Sequence, residues 1–203
     1  MKRLAFSLAS LLLAVTSFTA HAAGNAAAGE QKVAVCAACH GADGNSAVGS
    51  NPKLAGQNER YTLKQLLDIK SGARVVPLMT GLLNNLSEQD LADIAAFYAT
   101  QEKTLEGANP DLVETGESIY RAGLADLGVA ACSACHGPDG SGVAQAGFPA
   151  LGGQHAEYIA NQMKAFRSGA RNNDGDPAPM RIVSERLTDA EIEALASYIS
   201  GLH

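Results

Sequence analysis

The pentapeptide Cys36-Ala37-Ala38-Cys39-His40 returns as Cys132-Ser133-Ala134-Cys135-His136, and the two copies use all four cysteines of the chain. Two thiols at this spacing can each form a thioether with one of the two vinyl groups of a haem. The histidine that follows then falls beneath the iron as an axial ligand. A redox dithiol or half a zinc site also uses C-x-x-C, but neither needs the adjacent histidine and neither predicts a second unit of the same form. Two covalently bound haem c groups are therefore expected, attached at Cys36, Cys39, Cys132 and Cys135, with His40 and His136 as metal ligands.

The amino terminus carries an export pattern. Lys2 and Arg3 precede an apolar run from Leu4 to Phe18, and Ala20-His21-Ala22 has the small-x-small form that a signal peptidase cuts. Residues 1–22 read as a signal peptide, leaving a mature chain from Ala23 in the periplasm. An uncleaved anchor is the competing reading, disfavoured by the plain cleavage site and by a run shorter than the roughly 20 residues that span a bilayer. An oxidising compartment suits the cysteines, whose thiols would pair with one another unless haem captured them.

The rest of the chain is an internal duplication. Asp43-Gly44 answers Asp139-Gly140, Leu54-Ala55-Gly56-Gln57 answers Leu151-Gly152-Gly153-Gln154, Tyr61 answers Tyr158, and Ser71-Gly72-Ala73-Arg74 answers Ser168-Gly169-Ala170-Arg171. The offset is 96 at the cysteines, 97 from Pro52 to Arg74 and 101 beyond, where the second copy has four extra residues around Asn172 to Pro177. Leu105 to Asp111 is polar and bears Gly107 and Pro110, which reads as linker. The expected division is an N-terminal domain over 23–104, a linker over 105–113 and a C-terminal domain over 114–203. Each domain is small for an independent core, so haem burial supplies what the side chains cannot, and the apoprotein should be poorly folded.

Periodicity predicts an all-α fold. Helices are expected over Ala26 to Val35, Val113 to Arg121, about Glu59 to Lys70 and about Ala156 to Arg167. Each copy closes on an amphipathic helix: Leu91, Ile94, Ala95 and Tyr98 lie at i, i+3, i+4 and i+7, as do Ile192, Leu195, Ala196 and Ile199. Thr188 with Glu191 forms a capping-box pattern, and Ser87 is the matching N-cap. No alternating run is long enough for a sheet.

The sixth iron ligand separates electron transfer from catalysis, because an iron with six filled positions does not readily bind substrate. Apart from Met1, three methionines exist. Met79 lies 39 residues beyond His40 and Met180 lies 44 beyond His136, both in proline-bearing loops before the terminal helix. They match across the repeat and are the expected axial ligands. Met163 aligns with Leu66 on the middle helix and reads as core.

Together, the two haem motifs, the duplicated Leu-x-Gly-Gln and Ser-Gly-Ala-Arg segments, one methionine per ligand loop and the closing Tyr198-Ile199-Ser200-Gly201-Leu202-His203 resemble the cytochrome c₄ family over essentially all of the mature chain. That resemblance implies two tandem class I cytochrome c domains related by pseudo-two-fold symmetry, both His/Met-ligated, with haem edges approaching across the domain interface. It also implies a periplasmic, monomeric electron carrier and not an enzyme, passing electrons from a donor such as a bc₁-type complex to a terminal oxidase of the cbb₃ type. Loose peripheral association with a membrane is implied for some members. The copies depart from one another in loop length, chiefly at the short Val75 to Leu78 segment.

An axial imidazole needs its other nitrogen hydrogen-bonded to fix its orientation. On the class I pattern Pro52 and Pro149 are the candidates to offer that carbonyl; the alternative is a turn proline only. Gly29 and Gly116 are expected where the terminal helix crosses closely. Arg74 and Arg171 read either as partners of propionates and carboxylates or as solvated surface charges, and His155 as a surface or interface residue rather than a ligand.

The chain sums to −6, and to −8 once Lys2 and Arg3 leave with the signal. Residues 23–104 hold 7 basic and 8 acidic side chains, whereas 105–203 hold 6 and 13. That asymmetry would steer the two ends toward differently charged partners, unless it is ordinary solubility charge, and it disfavours nucleic acid. Two other classes stay open: a di-haem subunit of a flavin-dependent dehydrogenase such as sulfide dehydrogenase, and a di-haem peroxidase, which the methionine in both halves disfavours.

Overall fold

The computed structural model describes residues 24–203, so the expected signal peptide lies outside the described residues. The first half holds α1 (Ala26–Glu30), α2 (Ala34–His40), α3 (Glu59–Ser71) and α4 (Glu88–Ala99). The second holds α5 (Val113–Ala122), α6 (Ser133–His136), α7 (Ala156–Ser168), α8 (Pro179–Glu185) and α9 (Asp189–Ser200). Among the described residues the only β pairing is two isolated bridges, Leu124 with Val129 and Val143 with Phe148. The fold is all-α, written twice.

Local chemistry sets the helix ends. Ser87 and Asp90 form a complete capping box on α4, as Thr188 and Glu191 do on α9, each satisfying backbone donors that the helix leaves free. The repeated Ser-Gly-Ala-Arg is a helix stop. Gly72 (φ 83°) and Gly169 (φ 77°) end α3 and α7 in the left-handed region, and the amides of Arg74 and Arg171 then donate back to Asp68 (2.9 Å) and Ala165 (3.0 Å). The motif therefore fixes where each arginine leaves the helix.

Two expectations are adjusted. The segment Ala26 to Val35 is not one helix: a turn at 31–33 separates α1, docked on α4, from α2, which carries the cysteines. Lys32 in that turn bonds Asp93 (2.7 Å) and Asp90 (2.7 Å) on α4, and this tie holds the break in place. The second methionine-bearing loop is also not wholly a loop: Pro179 stands at the start of α8, where its fixed φ suits a first turn.

Each half has its own core. Val33, Leu66, Leu83, Leu91, Ile94 and Tyr98 form the first. The second includes Ile119, Tyr120, Ile159, Met163, Ile192, Leu195 and Ile199, with Met163 buried among them as its alignment with Leu66 suggests. α1 crosses α4, and α5 crosses α9, at glycines. A Cβ on Gly29 would stand 2.0 Å from the Asp93 carbonyl oxygen and one on Gly116 2.3 Å from that of Ala194. These clusters are small, and the side chains around the haem motifs, Cys36 and Met79 in one half and Cys132 in the other, pack against them.

Candidate haem sites and the interface between the halves

In each half a short helix delivers two thiols and an imidazole together and then stops at a glycine in a positive-φ conformation, Gly41 (φ 79°) or Gly137 (φ 81°). The thiols are free, Cys39 and Cys135 exposed, Cys36 and Cys132 half-buried. Burial pushes the Cys36 thiol up and the Cys132 thiol up to about 11. A dithiol oxidoreductase needs the opposite, a thiolate stabilised at neutral pH.

The geometry of the two candidate ligand histidines is the same. His40 Nδ1 lies 2.9 Å from the Pro52 carbonyl oxygen, and His136 Nδ1 lies 3.0 Å from that of Pro149. A carbonyl can only accept, so Nδ1 carries the proton and donates. Burial lowers the pKa of both imidazoles, outweighing the carbonyl, so both are neutral at physiological pH. Nε2 of each makes no hydrogen bond among the described residues. A neutral imidazole with Nδ1 anchored and Nε2 free is a prepared metal ligand. Beside paired free thiols, this donor set fits a haem in each half.

Met79 ends a 3-10 turn (Pro77–Met79) and packs on the first core, the cluster that Cys36 also touches. Met180 is the second residue of α8, which packs on α7, and is half-buried. Ala178, immediately before Pro179, is held in the left-handed region (φ 64°), a conformation that costs a non-glycine residue about 1 kcal/mol.

The halves meet through reciprocal contacts. Arg74 donates to Tyr158 Oη (3.0 Å) and Gln162 Oε1 (3.0 Å) across the interface, and to Gln65 Oε1 (2.9 Å) in its own half. Arg171 mirrors it, donating to Tyr61 Oη (3.0 Å), Gln65 Oε1 (3.1 Å) and Gln162 Oε1 (2.8 Å). Burial pushes the Tyr61 phenol up, but the guanidiniums of Arg171 and Arg74 outweigh it and hold the group below its ordinary value. Neither arginine is a solvated surface charge. Each glutamine of the repeated Leu-x-Gly-Gln also crosses: Gln57 pairs with both backbone groups of Ala150 (2.8 Å each), and Gln154 with those of Lys53 (2.8 and 2.9 Å).

One corner breaks the symmetry. Lys53, 3% exposed, donates to the carbonyls of Thr104 (2.6 Å) and Gly153 (3.1 Å) and lies 3.1 Å from Glu106 Oε1. His155 Nδ1 is 2.6 Å from the same carboxylate, and its Nε2 is 2.8 Å from the Ser46 carbonyl. His155 is thus an interface residue. The linker is docked rather than free, since Glu106 makes both contacts and the Asn109 amide donates to Ser197 Oγ (2.9 Å). Sequence reading did not assign Gln57, Gln154, Gln65, Gln162 or Lys53. The available signal was their placement: all but Lys53 recur at an offset of 97.

Two helical halves, each with a paired-thiol haem motif and an imidazole anchored at Nδ1, joined about a pseudo-two-fold axis, define a di-haem c-type cytochrome carrying two covalently bound haem c groups. The family model described as cytochrome c matches residues 26–102 and 113–203. The cytochrome c4 of Pseudomonas aeruginosa is 56% identical over 197 residues, covering 97% of this chain and 98% of that one. The crystal structure of reduced recombinant cytochrome c4 from Pseudomonas stutzeri superposes with a TM-score of 0.88 at 54% identity, covering 89% of this chain and 100% of that one. A thiosulfate dehydrogenase electron acceptor of Stutzerimonas stutzeri is 37% identical over 179 residues, 82% of this chain and 78% of its own length. The chain belongs to the cytochrome c₄ family and is a di-haem electron-transfer protein.

Proposed function

We propose that the protein is a periplasmic electron carrier, not an enzyme, in which His40 with Met79 and His136 with Met180 are the axial pairs. The observation that carries this reading is the twofold repetition of a neutral imidazole whose Nδ1 is tied to a proline carbonyl and whose Nε2 is free. The haem supplies reversible one-electron chemistry; the chain's residues set its energy and its access. Cys36, Cys39, Cys132 and Cys135 attach it, the proline carbonyls make each imidazole a stronger donor, and a methionine thioether favours the ferrous state. Signal removal after residue 22 would leave domains over 23–104 and 114–203 joined by the 105–113 linker, acting as a monomer. Among the described residues no helix is long and apolar enough to cross a membrane.

The proposed electron path runs from a bc₁-type complex to a cbb₃-type oxidase. A second donor class is favoured by one observation, the likeness to a protein named as the electron acceptor of thiosulfate dehydrogenase: a periplasmic dehydrogenase would then feed the same two haems. The near-neutral first domain and the acidic second one supply differently charged docking ends.

The optical spectrum of the purified holoprotein tests the reading. Two methionine-ligated ferric haems, by charge-transfer band intensity, and no carbon monoxide shift of the ferrous form are expected. Met79→Ala and Met180→Ala should each remove half of the band and open one haem to carbon monoxide. A wild-type haem that binds carbon monoxide would overturn the carrier reading in favour of an enzyme.

A further inference from the structure

The Pro52 carbonyl that receives His40 Nδ1–H and the Lys53 amide belong to one peptide group. That amide donates to Gln154 Oε1 at 2.8 Å, from the other half of the molecule. The same holds with the halves exchanged: the Pro149 carbonyl receives His136 Nδ1–H, and the Ala150 amide of that peptide group donates to Gln57 Oε1 at 2.8 Å. Each imidazole thus ends a chain of two hydrogen bonds running through a single amide plane to a glutamine of the opposite domain. Both glutamine side chains are buried and make three bonds each: the Nε2 atoms of Gln154 and Gln57 donate to the Lys53 carbonyl (2.9 Å) and the Ala150 carbonyl (2.8 Å), and their Oε1 atoms also accept from the following amides of His155 (3.1 Å) and Asn58 (2.9 Å). Each amide plane is thus held at both ends, by the imidazole at its oxygen and by the glutamine at its nitrogen.

We propose that Gln154 and Gln57 are positioning residues that set the donor strength of the axial histidine in the domain opposite their own. A hydrogen bond accepted from a peptide N–H draws electron density toward its carbonyl oxygen, and consecutive bonds strengthen one another. Pro52 and Pro149 then become stronger acceptors, the imidazoles more basic, and ferric iron more stabilised. Each haem's reduction potential is held low by the partner domain, and any loosening of the interface raises it. This rests on His40 and His136 being the axial ligands proposed above.

The test is to measure both potentials, and the ¹H–¹⁵N resonance of each axial Nδ1–H in the reduced holoprotein, for Gln154→Leu and Gln57→Leu. Gln154→Leu should raise the potential of the N-terminal haem and move the His40 resonance upfield, leaving the C-terminal haem unchanged; Gln57→Leu should do the converse. Gln154→Glu and Gln57→Glu, which keep an acceptor oxygen, should not raise the potential. Shifts confined to the variant's own domain, equal shifts at both haems, or no shift would overturn the proposal. Should the leucine variants not fold, amide exchange in the unmodified holoprotein decides: Lys53 and Ala150 must exchange slowly, and exchange at the solvent rate refutes the chain. Imidazole carbon-bound protons of His40 or His136 that lack the upfield shift imposed by a haem ring current on an axial ligand would instead sink the ligand assignment.

Discussion

At the scale of single residues, the two halves solve one packing problem with exchanged parts. Val33 and Tyr98 occupy the first core where Tyr120 and Ile199 occupy the second, so the large ring comes from the terminal helix in one half and from the opening helix in the other. In the second half the Tyr120 hydroxyl donates to the Gly137 carbonyl (2.6 Å), directly after His136. In the first, Tyr98 stands beside Cys36, and burial first, then Cys36, raises its phenol pKa. The total volume is what each site needs, and either helix can provide it. The crossing glycines allow no such exchange. A methyl at Gly29 would collide with the Asp93 backbone, which cannot move without breaking α4. Gly29→Ala should cost about 2–3 kcal/mol, as overpacking does, and lower the melting temperature of the jointly melting molecule by about 4–12 °C. Thermal melts followed by haem absorbance would check it, and an unchanged melting temperature would show that α1 is not docked.

At the scale of elements, the α1–α4 crossing is braced by charge and the α5–α9 crossing by apolar contact. Lys32 and Asp93 are replaced at the equivalent positions by Ile119 and Ala194. The Lys32 ammonium, then the Asn25 amide (2.9 Å) and Gln89, hold the Asp93 carboxyl down to about 2. A depressed carboxylate pKa contributes stability that is fully present above the unfolded value near 3.8 and is lost as pH falls through the folded value. Acid should therefore loosen the first half ahead of the second between about pH 4 and pH 2. Helix-specific hydrogen exchange on lowering pH measures this, and Asp93→Asn should narrow the difference between halves, leaving the part that the Lys32–Asp90 contact carries. The element level also explains the repeated motifs. Ser-Gly-Ala-Arg needs its glycine for the left-handed helix stop that launches the arginine, and Leu-x-Gly-Gln places its leucine amide on Gly44 (2.7 Å) or Gly140 (2.7 Å) before sending its glutamine across.

At the scale of the molecule, the interface makes the two domains one unit. Arg171 bonds Tyr61 and Gln65 of the first half while Gln162, Asn173 and the Phe166 ring, 4.4 Å away, hold it from its own, and Arg74 reaches Tyr158 and Gln162 in return. Interdomain contacts of this density couple unfolding, so the wild-type holoprotein should melt in a single calorimetric transition. Arg171→Ala should divide it into two, one per domain, and a single unchanged transition would show that the arginine cluster adds no coupling. Much of this molecule was legible in its sequence. The haem motifs, the duplication, the helix caps, the crossing glycines and the core role of Met163 follow from spacing and side-chain chemistry within a few residues or one period, and such features keep their meaning in any tertiary setting. The division of the first helix was not legible, because it depends on Lys32 meeting Asp93 sixty-one positions away. Nor were the partners that Arg74, Arg171, Gln57 and Gln154 find in the opposite half, which lie between 84 and 110 residues distant. A solvated arginine and one clasping a partner domain are spelled alike, and a pseudo-two-fold axis decides between them only once two folded halves have docked.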